Sequence, residues 1–272
     1  DVWGRKAAHK ADVPIMSTEA NINVSEGWLK HWLKARTQKM VTIQVAASHA
    51  IADYTRARYK TQKVEVIHYG IHTKMFKNSN TILKKKTIRC LMLGRLTKQK
   101  GHTIALKALS KLKHTSWHLT IVGEGECEQE ITQHIEKLGI HDRVTLKKAT
   151  HDTPAEYAQA DIFLMPSRWE GLGIVVQEAM AAGLLVIASK TGGIKELVMH
   201  KKTGLLAKTG SVASFKKQIQ WAVNNTQKAR AIAHTGHIYA EDHFDIARAV
   251  AQYETLYAQC KQKKVHEHTP GS

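Results

Sequence analysis

Glu170 and Glu178 stand with seven residues between them, at either end of a run that begins Gly171-Leu172-Gly173-Ile174. Gly171 and Gly173 lead into a helix expected to start at Ile174. A helix N-terminus carries unpaired N–H groups and a partial positive charge, so it can hold a phosphate. Upstream, Gly94 and Arg95 are followed five residues later by Lys100. Arginine supplies a two-pronged donor and lysine a point charge, and the two can converge on one anion. Together these groups could neutralise a diphosphate without a metal ion. A carboxylate at Glu178, about one turn into the helix, could accept two vicinal hydroxyls of the kind a ribose presents. Gly123-Glu124-Gly125 and Gly192-Gly193 add two more glycine-rich segments, where backbone can approach a ligand closely.

Taken singly, these features are weak. A lone Gly-x-Gly is usually a turn, a lone arginine after a strand is usually a surface ion pair, and a helix glutamate is usually solvated. Glu178 is set apart by its apolar neighbours Val175, Val176, Ala179 and Met180. They imply a mostly buried helix, and a buried carboxylate needs partners.

The elements that must position these groups alternate between short apolar runs and longer amphipathic segments. Strands are expected at 88–93, 118–122, 144–146, 162–165 and 185–188, with helices at 103–112, 126–138, 154–159, 174–182 and 211–224. Such βαβ alternation implies a parallel sheet covered by helices on both faces. Ligands of open α/β sheets bind beyond the carboxyl ends of the strands, and four glycine-rich loops fall on that edge here. Before residue 80 the pattern is looser, with strands expected at 13–17, 42–46 and 64–67. Helices are expected there at 25–39 and 48–59, with Ser25 and Ser48 suited to the N-cap position. A polar, lysine-rich stretch at 78–86 reads as a linker. The last thirty residues read as helix to about 262, followed by a tail at 263–272.

The chain has 272 residues, 43% of them hydrophobic, enough to bury a core without disulfides. Its three cysteines form no C-x-x-C pair, so a zinc site or disulfide framework is not expected. No apolar run is long enough to span a bilayer, and no signal peptide is visible. The formal charge is +18, and residues 1–86 carry +10 of it, from 16 Lys+Arg against 6 Asp+Glu. Such a surface favours phosphates, acidic lipid headgroups or nucleic acid. Few aromatics sit among the basic residues and no nucleic-acid motif occurs, so nucleic acid is not an expected partner.

The segments Gly94 to Gly101 and Pro166 to Gly173, the Glu170/Glu178 spacing, and Gly192-Gly193 with Glu196 resemble the family 4 retaining glycosyltransferases of GT-B fold. The resemblance covers roughly residues 88–225, with a looser match over 12–78. It implies two Rossmann-like parallel-sheet domains, the N-terminal one incomplete. These would be residues 1–80 on the acceptor side, 81–240 on the donor side, a helix at 241–262 packing back toward the first, and the tail. The implied reaction is transfer of a sugar from a nucleotide-diphosphate sugar to an acceptor, with retention of anomeric configuration.

The resemblance also implies roles. Arg95 and Lys100 would hold the donor diphosphate and stabilise it as leaving group. Glu170 would contact the donor sugar, and Glu178 the ribose. Gly171, Leu172, Gly173 and Ile174 would present backbone amides, while Gly94, Gly123, Glu124 and Gly125 would line the nucleotide. No cofactor or metal is expected beyond the donor, and no D-x-D motif occurs. The expected acceptor is a cell-surface glycan or lipid-linked saccharide, as in polysaccharide or lipopolysaccharide biosynthesis. The expected location is the cytoplasm, with peripheral association at the inner face of an anionic membrane. The alternative is a nucleotide-sugar-binding protein without turnover. Two departures from the family pattern stand out: Gly70-Ile71-His72 replaces Gly-Ile-Asp, and Leu172 stands where Phe is common.

Overall fold

The computed structural model describes residues 2–21, 27–61, 63–76 and 86–267, the side chains of 262–267 excepted. The chain divides into two compact units. One comprises Asp1–Gly70 with Ile246–Ser272, the other Ile71–Asp245. The sequence pattern places these boundaries at 80/81 and 240/241. The second unit extends further at both ends because its ends are tied together: Ile71 N donates to Phe244 O at 2.8 Å, and Thr73 Oγ1 donates to Asp245 Oδ2 at 2.7 Å.

The first unit runs α1 (Val2–Lys10), β1 (Met16–Glu19), α2 (Trp28–Thr37), β2 (Ile43–Ala46), α3 (His49–Tyr59) and β3 (Val64–Val66), and later adds α11 (Ile246–Glu267). Its three strands form a parallel sheet in the order β1-β2-β3. All four β2 residues are buried, as expected for a strand covered on both faces. Ile43, Val45 and Ile67 share a core with Ala249, Leu256 and Cys260 of α11. Ser48 caps α3 as expected, accepting from Ile51 N at 3.1 Å. The cap expected at Ser25 lies outside the described residues.

Three expectations here need correction. The first strand begins at Met16 rather than 13, because Asp12 sits in a left-handed turn and Pro14 has no N–H to give a ladder. Helix α1 has no counterpart in the sequence reading. It is anchored by Arg5, which is buried and donates to Ser17 Oγ at 2.6 Å. The helix α11 runs on to Glu267 through lysine, glutamine and glutamate, all good helix formers, so 263–267 is not tail.

The second unit begins its sheet with β4 (Ile88–Leu93), followed by α4 (His102–Leu109), β5 (Trp117–Val122), α5 (Glu128–Lys137), β6 (Val144–Lys147), α6 (Thr153–Ala158), β7 (Ile162–Met165), α7 (Ile174–Ala181), β8 (Leu185–Ser189), α8 (Ile194–Leu197), β9 (Leu205–Ala207), α9 (Val212–Asn224) and α10 (Thr226–His243). The linker expected at 78–86 lies, apart from Lys86, outside the described residues. Strand β9 and helices α8 and α10 go beyond the sequence reading. Strand β9 has only three residues, too few to show a period.

All strand pairs in this unit are parallel, in the order β6-β5-β4-β7-β8-β9. The chain winds outward from β4 in one direction, then returns to β4's other edge with β7 and winds the opposite way. The order therefore reverses between β4 and β7, and the crevice beyond their carboxyl ends is where such sheets bind ligands. An ion pair pins β7 to β4 at the opposite ends of these strands. Asp161, wholly buried, accepts from Arg89 N and Arg89 Nη2 at 2.8 Å and from Arg89 Nε at 3.1 Å. Both faces are covered: Met92, Leu119, Leu164 and Ile187 share one core with Leu106, Ile131 and Phe215 from the helices. Burying one such side chain contributes about 1.5–3 kcal/mol.

Candidate functional site

The reversal between β4 and β7 sets Gly94 to Gly101 beside Pro166 to Gly173, two segments seventy residues apart in sequence. Lys100 Nζ lies 2.9 Å from Glu170 Oε2, and these side chains are only 14% and 9% exposed. Ser167 Oγ lies 3.4 Å from the same oxygen. The lysine stem runs over Gly94, whose missing Cβ would stand 3.6 Å from Lys100 Cε. The backbones are also tied: Arg168 N donates to Gln99 O at 2.8 Å and Gln99 Nε2 to Trp169 O at 3.1 Å. Arg95 sits exposed just past the end of β4.

Helix α7 starts at this junction. Its N-cap is Gly173, with φ +92°, and no side chain caps the first turn. Its free N–H groups are therefore available to an anion. Glu178, one turn in, accepts from Tyr157 Oη at 2.8 Å. The Tyr157 side chain is fully buried and packs edge-on to Phe76 and tilted against Phe163. Burial pushes the Glu178 carboxyl above its ordinary value, and the hydrogen bond from Tyr157 opposes that shift. Burial, reinforced by the Glu178 charge, raises the tyrosine well above 10. Glu178 is thus held by a neutral donor, with no lysine or arginine to satisfy it among the partners shown.

The glycines act differently from the sequence expectation. A Cβ on Gly123 would land on the carbonyl oxygen of Gly94, and one on Gly125 would crowd that of Leu96. Leu96 N donates to Glu124 O at 2.8 Å, and Cys127 N to Leu96 O at 2.8 Å. Gly123, Glu124 and Gly125 therefore brace the β4 loop with their main chain, and the Glu124 side chain is exposed. Likewise a Cβ on Gly192 would overlap Glu170 O, and one on Gly193 would overlap Gly171 O. These two glycines hold the Glu170 loop in place. Leu172 is buried beneath it.

All the residues singled out in the sequence occupy this one edge of the sheet, and two contacts join them in ways the sequence did not indicate. Lys100 is partnered by Glu170, and Glu178 by Tyr157. Only the requirement that a buried carboxylate be satisfied signalled a partner for Glu178. Nothing in the spacing named Tyr157, Ser167 or Gln99. No group of three or more His, Cys, Asp or Glu that could hold a metal ion occurs among the described residues.

A doubly wound parallel sheet with basic and acidic loops at its switch point defines a nucleotide-binding class of α/β unit. More particularly, the chain belongs to the family described as glycosyl transferases group 1, whose family model matches residues 74–237. An uncharacterized glycosyltransferase of Haemophilus influenzae is 34% identical over 202 residues, which are 73% of this chain and 56% of that protein. A GDP-mannose-dependent α-(1-6)-phosphatidylinositol monomannoside mannosyltransferase of Mycobacterium tuberculosis is 34% identical over 188 residues, 60% of this chain and 48% of its own length. The chain thus spans about half the length of these curated relatives. The crystal structure of Anabaena HepE in complex with UDP superposes with a TM-score of 0.86 at 24% identity, covering 94% of this chain and 76% of that one. Its complex with UDP-glucose gives 0.83 at 25% identity, with the same coverage. The fold is that of the GT-B glycosyltransferases, built from Rossmann-like parallel-sheet units.

Proposed function

We propose that the second unit binds a nucleoside diphosphate sugar and that the protein transfers its sugar, with retention, to a glycan or lipid-linked acceptor. The observation that carries this reading is the buried Lys100–Glu170 pair, set beside the uncapped start of α7 at the switch point. Family membership and the UDP-glucose complex of HepE support it.

The first turn of α7 and Arg95 receive the diphosphate, and Lys100 adds its charge when the ligand arrives. These cations and N–H groups stabilise charge building on the departing diphosphate, a task for which the protein needs no metal. Losing one such donor typically costs about 2.7–4 kcal/mol of transition-state stabilisation. Glu178, ionised, accepts the ribose hydroxyls while Tyr157 holds its other face. Glu170 accepts from hydroxyls of the donor sugar. Its backbone, clamped by Gly192 and Gly193, keeps the carboxylate from drifting. Calorimetric titration with UDP and GDP, on wild type and Arg95→Ala, tests the site. Arg95→Ala should weaken binding about tenfold, the worth of one charge-assisted bond of ~1.4 kcal/mol. No binding at millimolar nucleotide, or no change on substitution, would show the site is elsewhere. Binding without sugar transfer would leave a nucleotide-sugar-binding protein, and analysis of product anomers tests retention.

The first unit supports association with an anionic membrane surface from the cytoplasmic side. Trp3, Trp28 and Trp32 are 78%, 79% and 48% exposed on the neighbouring helices α1 and α2. Lys6 lies over the Trp3 ring and Arg36 over the Trp32 ring. Exposed tryptophan beside basic residues suits the headgroup layer. No helix among the described residues is long and apolar enough to cross a membrane. Co-sedimentation with phosphatidylserine vesicles should weaken with salt and with Trp28→Ala, and vesicles that bring down no protein would rule the surface out.

A further inference from the structure

Beside the Gln99–Arg168 tie lies a cavity of about 400 Å³ that the donor reading does not use. Its walls come from three places: Lys98 from the β4 loop, His102 at the start of α4, and Glu130 with Ile131 from α5, while Arg168 and Trp169 close it from the β7 loop. Lys98 and Arg168 are exposed, and neither forms an ion pair among the described residues. They approach the space from separate loops. His102 is 4% exposed, and its Nδ1 has no partner among the described residues. The cap of α4 is Gly101, which supplies no side-chain acceptor to that first turn. Trp169 is 38% exposed and, with Ile131, gives the cavity apolar surface.

The geometry points to a second ligand site here, one that takes a small monophosphate ester. Two cations on facing walls suit a dianion with several acceptor oxygens, with arginine gripping it as a fork and lysine as a point charge. His102 adds a hydrogen bond. Burial, with the Lys100 charge adding to it, lowers the imidazole to about 4, so the ring is neutral at pH 7 and brings no charge of its own. Glu130 is the one acid in the lining, and it sets the charge balance against polyphosphates. A cavity of about 400 Å³ is far larger than a phosphate group, and the exposed Trp169 face accepts a flat or apolar ester body. Trp169 and Lys98 adjoin Glu170 and Lys100 in the two loops, so occupancy would stiffen the loops that also carry the donor site.

The test uses phenyl phosphate and inorganic phosphate as probes, by calorimetry in phosphate-free buffer, with UDP as a separate titrant. Phenyl phosphate should bind wild type, and saturating UDP should not displace it. The double substitution Lys98→Ala with Arg168→Ala, at two exposed positions, should weaken phenyl phosphate at least tenfold and leave UDP affinity unchanged. Trp169→Ala should bring phenyl phosphate down to the affinity of inorganic phosphate. Equal wild-type affinity for the two probes would overturn the ester in favour of free phosphate. No binding at 10-fold millimolar excess, insensitivity to the double substitution, or competition by UDP would overturn the site itself. Failure of UDP to bind, with phenyl phosphate still binding, would refute the donor reading and leave this site standing.

Discussion

Replacing Lys100 by methionine keeps the length of the side chain and removes its charge. The Glu170 carboxylate, 9% exposed, then keeps only the 3.4 Å contact from Ser167. Stranding one member of a buried ion pair costs about 3–5 kcal/mol, because the desolvation penalty of the remaining charge is no longer offset. Lys100 is 14% exposed, so some water reaches the pair and the lower end of that range applies. For a protein of 150–250 residues each kcal/mol moves the midpoint by about 2–4 °C, so Lys100→Met should lower Tm by about 6–12 °C.

The combination Lys100→Met with Glu170→Gln leaves no buried charge, and it should recover most of that loss. The coupling from the double-mutant cycle should therefore exceed about 1 kcal/mol. Differential scanning calorimetry on the four proteins measures it. Separately, titration with UDP measures what Lys100 gives to a diphosphate. The double variant should bind UDP at least tenfold more weakly than wild type even though its stability is restored. Single variants that unfold with wild-type midpoints, or a coupling near zero, would show that the pair does not form in solution. Full UDP affinity in the double variant would remove Lys100 from the donor site.

Three further outcomes follow from the same contacts. Tyr157→Phe removes the bond that favours the ionised Glu178, so its carboxyl should titrate at still higher pH. Nucleotide affinity should then fall off at higher pH than in wild type as pH is lowered, and superimposable pH profiles would exclude the bond. Gly192→Ala places a methyl against the Glu170 backbone at φ +46° and should cost about 1–3 kcal/mol while weakening nucleotide binding, with denaturant melts as the check. His102 titrates near 4 when folded and near 6.5 when unfolded, so its stabilising effect is complete above 6.5 and is lost progressively as pH falls to about 4. That shift amounts to about 3 kcal/mol, and His102→Gln should flatten the stability–pH curve over this window. Parallel curves would place the ring in solvent.

The donor-side strands were legible because parallel strands buried on both faces are unbroken apolar runs, and β4, β7 and β8 are written that way. The loops were legible because glycine, arginine and glutamate follow those runs directly. What could not be read depends on which strand lies beside which. The neighbourhood of β4 and β7 carries Lys100 to Glu170, and no local pattern encodes strand order. Tyr157 is similar: it sits on α6, a six-residue helix too short for a periodic signal, and meets Glu178 only through tertiary packing. Helix α1 was missed because its one buried residue is an arginine, whereas amphipathic patterns are recognised by apolar residues.

The glycines of the site sharpen what a glycine-rich edge means in such a sheet. The sequence alone favours close approach to a ligand, yet Gly123, Gly125, Gly192 and Gly193 each face a neighbouring loop's carbonyl. Their missing side chains let four loops stack backbone against backbone, which leaves few degrees of freedom to the side chains at the top. The Lys100–Glu170 pair belongs to that design. Without ligand, each of the two buried groups neutralises the other, so the site does not hold an isolated buried charge. A diphosphate that reaches Lys100 replaces part of this contact and turns the Glu170 carboxylate toward another donor, such as a sugar hydroxyl. Diphosphate and sugar are then recognised through one exchange of partners, and a nucleotide lacking its sugar should gain less from Lys100 than the intact donor. UDP and UDP-glucose titrated against wild type and Glu170→Gln measure that difference: the advantage of the sugar-bearing ligand should shrink in the variant, and an undiminished advantage would mean that Glu170 does not face the sugar.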